Sequence, residues 1–174
     1  VLKIRPVINV IEISSAANSQ QPMANSLSLL FDGDALINYH SMNQYNINQN
    51  VINNAQMIVV DANLNETMQQ SLLDFAEQGG TLLVLETENL RILESGHIVD
   101  EKYNSYIYNR LGIKPVDFDE NETKIEYIAK RNSFFDDIFV KLPDNAELPK
   151  VKKHVRFKLG KNVQNIISLQ NGDP

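Results

Sequence analysis

Apolar residues along the chain gather into short runs separated by stretches of helical spacing. Val7 to Ile13 (VINVIEI) is β-branched and mostly apolar, with the length of a strand buried on both faces of a sheet. After a small-residue loop from Ser14 to Gln21, Pro22 suits a first helical position. Met23, Leu27, Leu30 and Phe31 then repeat along one helix face before Gly33. Leu36 to Tyr39 and Met57 to Val60 read as the second and third strands. Between them, nine of the fourteen residues from Asn43 to Gln56 are Asn or Gln, interrupted by Ile47, Val51 and Ile52, which can anchor a short helix. Asn65 can cap a helix with a stripe of Met68, Leu72, Phe75 and Ala76, which Gly79 ends in the left-handed conformation. Thr81 to Leu85 is a fourth strand. Mostly apolar strands alternating with helices predict a three-layer, doubly wound α/β fold with a mainly parallel sheet. Val7 to Ile13, Met57 to Val60 and Thr81 to Leu85 are expected in its interior.

Beyond Glu86 the periodicity weakens. A helix is expected over Lys102 to Leu111, stopped by Gly112 and Pro115, with strands over Ile113 to Phe118 and Thr123 to Ala129 and a short helix over Ser133 to Phe139. Val151, Val155, Phe157 and Leu159 interleave with Lys152, His154, Arg156 and Lys158. Period-two alternation turns Val155, Phe157 and Leu159 inward and His154, Arg156 and Lys158 outward. Val163 to Leu169 is a last strand. These strands should lie at a sheet edge, some of them antiparallel. The 174 residues fit one domain. Because the first residue is Val1, and the hairpin pair Asn171-Gly172 has no strand after it, the domain is expected to be a piece of a longer protein.

Composition narrows the chemistry. A net charge of -6 argues against a general nucleic-acid binder, which needs a basic surface to displace counterions. The chain has no cysteine, which excludes thiol nucleophiles, thiolate metal sites and disulfides together. No apolar run approaches the ~20 residues that span a bilayer. The basic strand reverses the overall balance locally: Lys152, Lys153, His154, Arg156 and Lys158 offer either edge protection against aggregation or a docking surface for anionic headgroups or an acidic partner.

Ligands of an open parallel sheet bind beyond the carboxyl ends of its strands, where the strand order reverses. The polar residues at those ends are the ligand-binding candidates: Ser14, Ser15 and Asn18 after the first strand, Asp61 and Asn63 after the third, Glu86 and Glu88 after the fourth. Such residues also serve simply to satisfy loop and cap hydrogen bonds. The first loop has neither a Gly-x-Gly-x-x-Gly fingerprint nor a phosphate loop, so no nucleotide cofactor is expected. His40, His97 and His154 form no metal-ligand pair, and Glu12-Ile13-Ser14-Ser15-Ala16 matches the Asp-x-Ser-x-Ser metal motif of von Willebrand A domains only at Ser14. No metal or other cofactor is expected. Ser95-Gly96-His97 has no acid at a triad spacing, and no Gly-x-Ser-x-Gly elbow occurs.

The run Gln56-Met57-Ile58-Val59-Val60-Asp61, the helix after Asn65 and Gly79-Gly80-Thr81-Leu82-Leu83-Val84 resemble the central strand, helix and strand of class I glutamine amidotransferase-like domains. Phe134 to Phe139, Leu142 to Pro149 and Ser168 to Pro174 are similar to segments of the extracytoplasmic part of Bacteroidetes Bat-type aerotolerance-regulator membrane proteins, which carry an amino-terminal double-transmembrane region. The resemblance implies a domain on the periplasmic side of the inner membrane, anchored by segments outside this chain, with a protein partner in the cell envelope. It also implies a chain that has lost amidotransferase chemistry, since Thr87-Glu88-Asn89 follows the strand where the family has a Gly-x-Cys-x-Gly elbow. A non-catalytic binding or scaffolding domain is therefore expected. A hydrolase working through Asp61, Glu86 and Glu88 is the alternative.

Overall fold

The computed structural model describes residues 6–15, 22–31, 33–85, 105–127 and 150–174, the side chains of 22–26 and 127 excepted. The chain divides into two compact units, Val1–Leu90 with Glu101–Ile107, and Arg91–Asp100 with Tyr108–Pro174.

In the first unit, β1 (Ile8–Ser14), β2 (Ile37–Asn43), β3 (Met57–Asp61) and β4 (Thr81–Val84) form a parallel sheet in the order β2-β1-β3-β4. The order reverses between β1 and β3, which makes their carboxyl ends the switch point of a doubly wound, flavodoxin-like α/β fold. Helices cover both faces. Ile11, Ile13, Ile58 and Val60 share one face and pack with Ile52 of α2 (Gln49–Asn54) and with Leu72 and Phe75 of α3 (Glu66–Glu77). The opposite face carries Val10, Glu12, Val59 and Asp61. There Phe31 of α1 (Pro22–Phe31) stacks on Tyr39 of β2 at a ring separation of 5.6 Å. The expected interior placement holds for β1 and β3. It fails for β4, which among the described residues is the edge of this sheet: Thr81 is exposed and Leu83 is 38% exposed. A four-residue apolar run carries too little pattern to separate an edge from an interior strand.

Local chemistry explains the helix ends. Asn65 Oδ1 accepts from the amide of Met68 at 2.9 Å to cap α3, and Gly79 takes φ 99° just past its end, a region L side chains rarely adopt. The amides of the Asn/Gln-rich run are structural. Asn43 caps a short 3-10 turn over Gln44–Asn46, Asn48 caps α2, and Gln56 Oε1 accepts from the amide of Asn9 in β1 at 2.8 Å. Buried Gln69 accepts from the amides of Tyr106 and Ile107, at 3.0 and 3.1 Å, in the first turn of α4 (Ser105–Leu111), and it donates to the carbonyl of Leu64 at 2.7 Å. This one side chain thereby satisfies amide donors that a helix start leaves without intrahelical partners.

In the second unit, β5 (Ile113–Asp119) pairs antiparallel with β8 (His154–Leu159), and β6 (Thr123–Tyr127) pairs antiparallel with β7 (Lys150–Val151) and β9 (Ile167–Leu169). The carboxyl-terminal strands are antiparallel, as expected, and the described ones pair among themselves. The strand expected from Val151 to Leu159 is broken at Lys152-Lys153, and the expected Val163 to Leu169 strand is confined to Ile167–Leu169. The helix expected over Ser133 to Phe139 lies outside the described residues.

Candidate functional site

The sheet register brings the strand-end candidates of β1 and β3 together. Ser14 and Asp61 are direct neighbours across the two strands, on the face that also carries Glu12 one row below. Ser15 and Asn63 follow at the same end and are half-buried. Asn18, Glu86 and Glu88, like Ser95 to His97, lie outside the described residues.

The polar groups gathered at this switch point are turned into the protein. Asp61 is 2% exposed, and the Ser14 hydroxyl donates to the carbonyl of Met42 at 3.4 Å, a long contact to the neighbouring strand. Glu12 is fully buried. Its Oε2 accepts a short hydrogen bond from the Tyr39 hydroxyl, and its Oε1 has no hydrogen-bond partner among the described residues. A buried carboxylate oxygen without a donor is costly, so Tyr39 carries much of what makes Glu12 tolerable inside the sheet. Glu12 and Tyr39 are absent from the candidates drawn from strand ends. A carboxylate inside an otherwise apolar two-face strand was the signal that could have found Glu12.

Concavity is found at the opposite end of the sheet. A cleft of about 580 Å³ opens beside the amino ends of β3 and β4, between α2 and α3, and is lined by Gln49, Asn53, Gln56, Asp74 and Gln78 with Phe75 and the Gly79-Gly80 pair. Its polar lining includes groups already tied to one another, as Gln49 Nε2 is to Asn53 Oδ1 at 2.9 Å.

The basic strand β8 meets an acidic one. Arg156 forms a two-pronged bond with Asp117 of β5, Lys153 reaches Glu120 at 3.1 Å and lies 5.2 Å from the centre of the Phe118 ring, and Lys150 reaches Glu122 at 2.7 Å. Arg156 and Lys158 face outward and Val155, Phe157 and Leu159 are half-buried, which matches the expected alternation. His154 departs from it. Its side chain is 10% exposed, because the turn after β9 folds back and brings Asp173 Oδ2 to 3.0 Å from His154 Nε2. The backbone N–H of Asn121 is the main influence holding the Asp119 carboxyl below its ordinary value of 3.8. A surface of alternating sign attracts anionic headgroups less than a bare cationic stripe does. Lys152 is exposed, and Lys158 stands opposite Lys114 in the ladder, so these carry the positive character of the strand farthest from the acidic row.

Comparison with known proteins gives no family. No family model, curated protein or solved structure matches the chain. What can be said of function therefore rests on the residues and their geometry.

Proposed function

We propose that the chain is a non-catalytic, amidotransferase-like binding or scaffolding domain of a membrane-anchored cell-envelope protein, held on the periplasmic side of the inner membrane and serving a protein partner. The observation that carries this reading is the inward turn of the switch-point groups. Asp61 is 2% exposed, Ser14 is committed to the Met42 carbonyl and Glu12 is closed off under Tyr39, so the acids and hydroxyl at the usual catalytic end act in the fold. The absence of cysteine supports it, because the amidotransferase reaction needs a thiolate. The membrane anchor and envelope location rest on the segment resemblances from Phe134 onward.

The test combines activity with stability. Incubation with glutamine should release no ammonia, and Asp61→Asn should lower the urea midpoint without altering any turnover. Turnover by the wild-type chain that Asp61→Asn abolishes at unchanged stability would transfer the case to the hydrolase reading. Full-length protein isolated from membranes should carry a stoichiometric protein partner, and recovery of none would remove the scaffolding role.

A further inference from the structure

We infer that Asp119, His154 and Asp173 form a binding site for a divalent transition-metal ion such as zinc. The three come from separate parts of the second unit: Asp119 ends β5, His154 begins β8 directly opposite it, and Asp173 lies in the turn after β9. One donor atom from each lies within 4.8 Å of the other two.

The positions are built rather than accidental. Asp119 Oδ1 accepts from the amide and side chain of Asn121 at 2.8 and 2.7 Å, which fixes the carboxylate and leaves Oδ2 toward the cluster. Asp173 is set by its turn: Gly172 takes φ 89°, its amide donates to the Leu169 carbonyl at 2.9 Å, and the Leu169 amide donates to the Asp173 carbonyl at 2.8 Å. His154 Nε2 and Asp173 Oδ2 stand 3.0 Å apart. Donors bound at roughly 2.0–2.2 Å to one ion have about this mutual separation. Between the two carboxylates sits the Asn171 side-chain amide, 2.8 Å from Asp173 Oδ2 and 3.4 Å from Asp119 Oδ2. A hydrogen-bond donor thus occupies the place where two carboxylate oxygens converge, as a cation would.

The histidine adds a nitrogen donor to the two carboxylates. Its ring is nine-tenths buried, and Nδ1 has no hydrogen-bond partner among the described residues. Without an ion, the Asp173 carboxylate 3.0 Å away favours the ring proton on Nε2. An ion takes the place of that proton, which moves to Nδ1 as the Nε2 lone pair turns to the metal. One imidazole nitrogen and two carboxylate oxygens suit zinc, cobalt or manganese better than calcium, which takes six or more oxygen ligands. Arg156 and Lys153 flank the cluster, yet each is already bonded to a carboxylate of its own, Asp117 and Glu120.

The test uses the whole chain, freed of tags and chelators, with zinc and cobalt as probes and calcium as a control. Calorimetry should show saturable binding of one zinc per chain. Cobalt should give visible absorption bands characteristic of a nitrogen and oxygen ligand set, and calcium should not compete. His154→Gln and Asp173→Asn should each weaken zinc binding more than about tenfold. His40→Gln should leave it unchanged, and Asn171→Ala, which removes the competing amide, should not weaken it. Circular dichroism of the variants separates a lost ligand from a lost fold. Absence of saturable zinc binding to the wild-type chain would overturn the proposal. So would binding that survives His154→Gln combined with Asp173→Asn, and either result would leave the cluster as a hydrogen-bonded clasp on the chain end.

Discussion

In the first unit, β3 places Ile58, Val59, Val60 and Asp61 at 1%, 0%, 0% and 2% exposure; in the second, β8 alternates half-buried with exposed residues from Val155 to Leu159. Among the described residues, fifteen of the seventeen buried apolar side chains belong to the first unit, and only Pro115 and Leu169 to the second. What the second unit shows instead is cross-strand pairing of Arg156 with Asp117, Lys153 with Glu120 and Lys150 with Glu122, and stacking of Tyr108 on Phe157 at 6.0 Å. Apolar burial is non-directional and indifferent to salt screening at the surface, whereas half-exposed ion pairs contribute little and are screened. The contrast teaches that the described stability of the chain is concentrated in the parallel sheet and its helices. Geometric specificity of charge belongs to the antiparallel ladders.

The sharpest way to break that comparison is to hollow out the first unit. Leu72 is fully buried against β1, β3 and α2 residues. Leu72→Ala should cost about 2–5 kcal/mol, through lost transfer energy and the cavity left behind. The measurement is urea unfolding, with a lower midpoint at an unchanged slope. A cost below about 1 kcal/mol would mean that the helix layer collapses freely onto the sheet, which contradicts close packing there.

A smaller effect should come from the polar insertion in the same core. Tyr39→Phe removes the donor that faces Glu12 Oε2 and leaves the carboxylate buried without a described partner, at a cost of about 1–3 kcal/mol. Adding Glu12→Leu should recover most of the loss, since replacing both partners by apolar groups is often nearly neutral. If the double variant were no more stable than Tyr39→Phe alone, Glu12 would be interacting with something other than Tyr39, and the inward-turned reading of the switch point would weaken.

How much of this was legible in the sequence differs between the units for the same physical reason. In the first, two-face strands and a helix with a cap, a stripe and a terminal glycine each leave a periodic mark, so β1, β3 and α3 were placed to within a residue or so, from VINVIEI, MIVV and the segment after Asn65. Edge status did not show, because Leu83 in TLLV is as apolar as its interior counterparts yet 38% exposed. The amides of Asn43 to Gln56 looked like compositional bias, and their use as caps and cross-links depends on partners as distant as Asn9. In the second unit the alternation of β8 was readable. Its acidic counterpart was not, because antiparallel pairing joins Arg156 to Asp117, thirty-nine positions away, through a register that no local pattern encodes. The cluster of Asp119, His154 and Asp173 was hidden likewise, and a turn signal at Asn171-Gly172 gave no hint that the turn would bring an acid onto a histidine.

The smallest expected effect lies in the ladder of opposite charges and tests the other half of the comparison. Arg156 and Asp117 have side chains 44% and 25% exposed, so water and ions reach the pair even though its geometry is two-pronged. Holding a long side chain in one conformation offsets part of the Coulomb gain, which is why such pairs contribute so little net stability. Arg156→Gln keeps a donor and most of the aliphatic stem and removes the charge, so any change should report the charge itself. The expected outcome is a shift in urea midpoint well below those of Leu72→Ala and Tyr39→Phe, and one that vanishes in 1 M salt, where the screening length falls to about 3 Å. The reverse substitution of both partners, Arg156→Asp with Asp117→Arg, should restore the wild-type midpoint at low salt. A large, salt-insensitive loss in Arg156→Gln would show that the pair is shielded from solvent and belongs to a core, and the division of roles between the two units would then have to be redrawn.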